Sequence, residues 1–399
     1  MSRTRVPSQC VVAPYIFEKL SQSKDPTVRS RALQSLELSA RIRGQRDILG
    51  GITLPLGFLG PKASTNALSR TIYTSGNGTQ LPGTKVRGEG GNPAGDAATD
   101  EAYDGLGATY KLYKDAFGRN SLDDNGLPLI ASVHYGQQYD NAEWNGQQML
   151  FGDGDGTYFN RFTIAIDVIG HELTHGVTQY TSGLSYHDQP GALNESFSDV
   201  FGSMVKQYSL NEKADAADWL IGQGLLTDQV QSGDPAHGPA LRSMLKPGTA
   251  FNDPVFGKDP QPDNMSGYVT GQGDNGGVHT NSGIPNRAFA LAAVNSGGYS
   301  WEGAGQIWYK TLLRLQPEAQ FQDAADLTFQ VAGEEPFGSD YQKAVQDAWA
   351  QVGIRVGSAA TRRAGTKVGG LDGNLATRID RIEEQLKKLT EIVTKKARK

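Results

Sequence analysis

The chain has 399 residues, 37% hydrophobic and 20% charged, with 50 glycines, one cysteine and a formal net charge of −5. That length allows two or three domains with a sizeable core, and the glycines imply many turns. A single cysteine excludes an intramolecular disulfide, and no apolar run reaches the length of a membrane-spanning helix.

The charge is unevenly spread. Residues 1–50 hold 9 basic and 4 acidic residues and residues 357–399 hold 11 and 5, so the middle carries a net −16. An acidic body with basic ends suggests that an end docks on the body, and it argues against nucleic acid as the body's partner. The first ten residues have basic side chains but no apolar stretch behind them. This predicts no secretory signal peptide and a chain that is cytoplasmic as synthesised.

In chain order, residues 10–48 read as two helical pieces, Val11 to Leu20 and a segment from Asp25-Pro26 whose face is marked by Leu33, Leu36, Ala40 and Arg43. Residues 49–65 carry turn formers without a period, as a junction or cleavable linker would, completing a candidate prosegment over 1–65. Residues 71–87 predict a strand, a tight turn at Asn77-Gly78 and a second strand. Tyr103, Leu106, Tyr110, Tyr113 and Phe117 step by three and four, as on an amphipathic helix. Leu129–Tyr135 and Gln148–Phe151 are strand-like, with Asn141–Trp144 between them. Gly152-Asp-Gly-Asp-Gly156 fails as an EF-hand loop, because Tyr158 and Ile164 stand where glycine and a bidentate glutamate are required; a tight turn fits better. Helical patterns dominate from Ile164 to about Val356. The expectation is an α+β protein of two lobes, strand-rich over 66–165 and helical over 166–356.

Residues 357–374 then read as a flexible linker. Leu375, Ile379, Ile382, Leu386, Leu389 and Val393 follow in 4-3-4-3-4 steps, the seam of a short coiled coil over 375–399. The alternatives are a lone amphipathic helix lying on the body or a basic helix at a membrane surface. Arg378-Ile-Asp-Arg-Ile-Glu383 resembles a trimer-favouring motif, so a homo-trimer is favoured over a dimer.

The chemistry concentrates at His171-Glu172-Leu-Thr-His175. Four residues apart on a helix, the two imidazoles share a face and can give one Zn²⁺ a nitrogen each, with Glu172 in reach of an activated water as general base. Catalytic zinc takes a third protein ligand. Glu195, four residues before Asp199, is the candidate, and Asp199 is then placed to accept the other ring N–H of a histidine ligand.

With Asn194-Glu195-Ser-Phe-Ser-Asp199 following HExxH, the sequence resembles the thermolysin family of zinc metallopeptidases. Asn141-Ala-Glu-Trp144, Gly152–Gly156, Leu241-Arg-Ser-Met244 and Asp274–Gly283 agree with it in order. The short N-terminal region with Cys10, Pro14 and Tyr15 is similar to the prosegment of the protealysin-like branch. The resemblance implies zinc ligation by His171, His175 and Glu195, with Glu172 as base. It implies oxyanion stabilisation by Tyr186 and by His279, oriented by Asp274. Substrate backbone would be held by Arg242, Asn141 and Ala142, and the residue after the scissile bond by a pocket of Phe159, Phe162, Val168, Ile221 and Leu241. That pocket is apolar, so cleavage before large hydrophobic residues is expected, with secretion by a non-classical route as a further implication.

Three departures stand out. Glu143 occupies an aromatic position of the family pattern, at the border of the cleft. Lys206, Leu220 and Gln223 occupy positions where thermolysin's paired calcium site needs oxygen ligands, so no double-calcium site is expected beside Asp167 and Asp218. The tail is outside the family pattern. His134, His187 and His237 show no carboxylate constellation and read as structural or exposed, while Cys10 is either a cap on the zinc or a reduced bystander. Two rival functions are an aminopeptidase, for which no motif gripping a free N-terminus is visible, and a catalytically inactive zinc-bearing assembly module.

Overall fold

The strand-forming stretches of the first lobe assemble into one mixed sheet. The computed structural model describes residues 9–51 and 67–356; the linker at 357–374, the seam at 375–399 and residues 52–65 of the junction lie outside the described residues. The N-terminal segment contributes β1 (Gln9–Cys10), α1 (Pro14–Leu20) and α2 (Pro26–Gly51), and the lobe adds β2 (Arg70–Thr74), β3 (Thr84–Gly88), α3 (Ala97–Phe117), β4 (Leu129–Val133), β5 (Ala142–Trp144) and β6 (Met149–Phe151). The strand order is β1-β5-β6-β4-β2-β3. An edge of the lobe's own sheet, β5, is therefore covered by the N-terminal segment, antiparallel and with Cys10 opposite Glu143.

Three expectations are corrected here. The first helix starts at Pro14 and not at Val11, because a proline disfavours helical ψ in the residue before it; Ala13 is extended at ψ 139°. In α2 the buried positions are Val28, Ala32, Ser35, Ser39 and Ile42, whereas Leu33 is 53% exposed. The helix lies on a partly polar surface, which apolar periodicity does not register. Asn77-Gly78 does lie in a tight turn, with the Gly78 N–H donating to the Ser75 carbonyl at 2.8 Å, but β2 and β3 pair from Thr74↔Thr84, so that turn is part of a longer connection and does not close the hairpin by itself. The cap of α2 agrees with expectation, since Asp25 Oδ1 accepts the Thr27 N–H at 2.8 Å. Asp155 Oδ1 likewise accepts the N–H groups of Thr157, Tyr158 and Phe159, making the glycine-rich stretch a tight turn.

Helix α3 begins at Asp96, whose side chain accepts the Thr99 N–H, and ends at Gly118 with φ 67°. Its Tyr103, Leu106 and Tyr113 are buried. The second lobe is built of α4 (Ile166–Gln179), α5 (Asp188–Leu210), α6 (Asp274–Asn281), α7 (Gly283–Ser296), α8 (Ala304–Leu312), α9 (Phe321–Ala332) and α10 (Ser339–Gln351). Between α5 and α6 lie two short paired strands, β7 (Leu220–Ile221) and β8 (Arg242–Ser243).

Helices α4 and α5 approach closely because of Gly202. A Cβ there would lie 2.4 Å from the Asp167 carbonyl oxygen and 2.9 Å from the His171 nitrogen, both backbone atoms. Gly202→Ala is expected to cost about 1–3 kcal/mol from overpacking and to lower zinc content, read by urea denaturation and metal analysis. Unchanged stability would contradict this account of the helix contact.

Candidate metal centre

Helix α4 carries His171, Glu172 and His175 and α5 carries Asn194, Glu195, Ser198 and Asp199, all buried. The two imidazole Nε2 atoms are 3.1 Å apart. Glu195 Oε2 is 3.4 Å from His171 Nε2, and its Oε1 is 3.5 Å from His175 Nε2. The other ring nitrogens are engaged: His171 Nδ1 with Asp199 Oδ1 at 2.8 Å, and His175 Nδ1 with Asn194 Oδ1 and Ser198 Oγ, each at 2.9 Å. Where Nδ1–H donates to Asp199 or Asn194, the Nε2 lone pair is left facing inward. Glu195 Oε2 is buried without a protein hydrogen-bond partner. Two imidazole nitrogens and a carboxylate converging on one point, with an orphaned carboxylate oxygen among them, fit a tetrahedral zinc with one open position.

Glu172 stands beside them. Its Oε2 accepts the Trp144 N–H at 2.7 Å, while Oε1 is buried with no partner. Burial pushes its carboxyl well above the usual range. Tyr186 donates its hydroxyl to Glu195 Oε1 and lies 3.3 Å from His279 Nε2. His279 reaches this point through the start of α6, where Asp274 to Gly277 all take left-handed φ between 50° and 88°. That turn lets Asp274 grip His279 twice, by its backbone N–H at 2.9 Å and its Nδ1 at 2.5 Å. Burial opposes charging this imidazole, but the Asp274 and Glu195 carboxylates outweigh it and raise its pKa well above the ordinary value.

The groove beside the cluster is occupied by the chain itself. Val11 N–H donates to the Ala142 carbonyl at 3.3 Å and Val12 N–H to Asn141 Oδ1 at 3.1 Å. Arg242 Nη1 donates to the Val11 carbonyl and His279 Nε2 meets the Cys10 carbonyl, both at 2.8 Å. The Cys10 thiol contacts the Val12 carbonyl at 3.6 Å. Phe159, Phe162, Val168, Ile221 and Leu241 are buried in one apolar cluster together with Val11, Ile16 and Phe17. The Phe17 and Phe159 rings are 6.2 Å apart.

His171, Glu172, His175, Tyr186, Glu195, Asp199, Arg242, Asp274 and His279 thus lie around one cluster, Asn141 and Ala142 meet the segment that crosses it, and the five apolar candidates belong to the same core. Others were missed. Arg242 makes two 2.8 Å bonds to Asp199, and Asn286 Nδ2 makes a third. Nothing local in the sequence links residues so far apart. Ser39, on α2, touches both Glu143 and Asn141. His134 is corrected: it has carboxylate partners, Asp153 at 2.8 Å and Asp96 at 3.2 Å. So does His187, with Asp188 at 3.2 Å and Glu318 at 3.6 Å.

Away from the cluster, Lys206 Nζ lies 2.7 Å from Asp218 and 4.0 Å from Asp167. An ammonium already stands between these two carboxylates, where it would repel a divalent cation. Added millimolar Ca²⁺ is therefore expected to leave the thermal midpoint unchanged. A rise of several degrees in a calorimetric scan would contradict this.

Family models for the thermolysin metallopeptidase catalytic domain and for its alpha-helical domain match residues 62–179 and 182–354. The chain is 54% identical over 297 residues to an extracellular metalloprotease of Pectobacterium carotovorum subsp. carotovorum, covering 74% of this chain and 84% of that one. It is 45% identical over 350 residues to protease PrtS of Photorhabdus sp. (strain Az29), covering 87% and 92%. Among solved structures it is similar to the precursor of protealysin, a metalloproteinase from Serratia proteamaculans, with TM-score 0.77, 50% identity, and coverage of 87% of this chain and 99% of the other. Similarity of this extent takes in both lobes, and on it the chain belongs to the thermolysin family of zinc-dependent metallopeptidases.

Proposed function

We propose that the chain is an endopeptidase made as an autoinhibited precursor, cleaving before large hydrophobic residues. The observation that supports this best is the course of residues 10–12 along β5. Their backbone takes up Ala142, Asn141, Arg242 and His279, the same groups that would hold a substrate. A segment lying there keeps other peptides out.

On this reading His171, His175 and Glu195 hold the zinc, with Asp199 fixing the ring of His171. A zinc held by these three residues would supply Lewis acidity towards the substrate carbonyl and a water. Glu172, whose Oε1 has no hydrogen-bond partner among the described residues, would take a proton from water as the oxygen adds to the carbonyl carbon, then pass it to the departing amine. Tyr186 and the Asp274-held His279 donate to the carbonyl oxygen as negative charge develops there, each such donor being worth on the order of 3 kcal/mol. Arg242, Asn141 and Ala142 align the backbone. Phe159, Phe162, Val168, Ile221 and Leu241 receive the side chain that follows the cleaved bond.

The test uses casein and an N-blocked peptide, with and without a zinc chelator, together with mass spectrometry of the enzyme's own N-terminus. Cleavage of the blocked peptide, reversed by chelation and increasing as the N-terminal segment is lost, is expected. Failure on the blocked peptide would leave the aminopeptidase reading, and a library profile preferring charged residues after the cut would refute the apolar pocket. The seam at 375–399 we assign to a homo-trimer. Sedimentation equilibrium should give a trimer for the full chain and a monomer for Ile382→Asp/Leu386→Asp, and a monomeric parent chain would refute it.

A further inference from the structure

The side chain of Glu143 is fully buried. Its Oε1 accepts the Ser39 hydroxyl at 2.5 Å and also the Tyr139 hydroxyl. Ser39 belongs to α2, in the N-terminal segment, and Tyr139 to the body. When that segment leaves, the carboxylate loses the Ser39 hydroxyl and stays beside the Tyr139 hydroxyl. Residues directly opposite one another in an antiparallel ladder carry their side chains on the same face, about 5 Å apart at Cβ. Cys10 is opposite Glu143. The Cys10 carbonyl is the one facing His279, and the next carbonyl along, that of Val11, is held by Arg242. Cys10 therefore marks the residue on the amino side of the bond at the centre, and whatever side chain a substrate carries there becomes the neighbour of Glu143.

The geometry points to Glu143 as a specificity-determining residue that selects lysine or arginine immediately before the cleaved bond. The substrate class is then a peptide with a basic residue followed by a large apolar one. This rests on the endopeptidase reading above. A carboxylate held at the edge of a largely closed cleft accepts a charge-assisted hydrogen bond from an ammonium or guanidinium and repels a carboxylate. A hydrogen bond to a charged group of this kind corresponds to a preference of roughly ten- to hundredfold. In the precursor the same carboxylate is occupied by the Ser39 hydroxyl, so the selecting group is masked until the segment departs.

The experiment takes the full chain, zinc-loaded and allowed to process itself. It measures kcat/KM on N-blocked peptides that differ only at the residue before a cleaved leucine: Arg, Lys, acetyl-Lys, Ala or Glu. Arg and Lys are expected to exceed Glu at least tenfold, and Lys to exceed acetyl-Lys, with Glu143→Gln collapsing the Arg-to-Glu ratio towards unity. If the variant does not process, the wild-type Lys-to-acetyl-Lys ratio decides, and it should shrink at high salt. Equal rates on all five peptides, or a ratio unchanged in Glu143→Gln, would overturn the assignment and leave the endopeptidase intact. Cleavage of none of them would overturn both.

Discussion

Glu172→Gln is expected to lower kcat/KM on a blocked peptide by about 10²–10⁴-fold, the usual worth of a positioned general base, while zinc stays bound. The amide carbonyl can still accept the Trp144 N–H that Glu172 Oε2 takes at 2.7 Å, so the helix and its two histidines keep their places. What is lost is the ability to take and return a proton. Steady-state kinetics with metal analysis separates the two effects; retained activity within a few-fold of wild type would remove Glu172 from the role given to it. Stability is expected to move the other way in chelated protein. A carboxyl whose pKa burial raises binds its proton more tightly folded than unfolded. It therefore favours folding at low pH and loses that advantage as pH rises above the ordinary glutamate range. The glutamine variant has no such slope, and chelated samples titrated upward from pH 4 should show the difference.

Asp199→Ala should be the most destabilising single change at the site. Asp199 accepts Nε and Nη2 of Arg242, Nδ1 of His171 and Nδ2 of Asn286, all at 2.8 Å. Burial opposes its ionisation, but Arg242 and His171 prevail and bring its pKa down to about 2. Removing it leaves the buried Arg242 guanidinium without its carboxylate, a loss of about 3–5 kcal/mol. Zinc affinity should fall about 10–100-fold as His171 loses its orienting partner. Because the pKa is depressed, the stabilisation is complete above the unfolded value near 4 and is lost as pH falls towards 2. Acid unfolding of wild type should therefore be steeper over that interval than that of Asp199→Asn. Equal denaturation midpoints for wild type and Asp199→Ala would refute the network.

The metal-binding half of the site was legible in the sequence because a helix turns distance along the chain into distance in space. His171 to His175 and Glu195 to Asp199 are one helical turn apart, and each pair reads as a face. Partnerships between elements carried no such ruler. Arg242 was found through a motif, but its paired hydrogen bonds to Asp199 span 43 residues. The face of α2 was misread for a different reason. Its buried serines, Ser35 and Ser39, meet the Asp140 N–H and the Glu143 carboxylate, and a polar contact of this kind leaves no hydrophobic period. His134 was set aside because its partners, Asp96 and Asp153, are 38 and 19 residues away. The two lobes were legible in outline from strand and helix patterns. The placement of β1 as a further strand on β5 was not, since a two-residue strand has no pattern of its own.

That short strand has a consequence for how the protein would switch on. Its grip consists of a handful of hydrogen bonds and a few apolar contacts, and the chain holds it in place by being tied to the body through residues 52–66. That covalent tether makes the contact intramolecular, with an effective local concentration that two separate molecules lack. One cut in the tether turns an intramolecular contact into an ordinary equilibrium between two molecules. Dilution would then complete activation, and a concentrated solution of cut protein would stay largely silent until it was spread out.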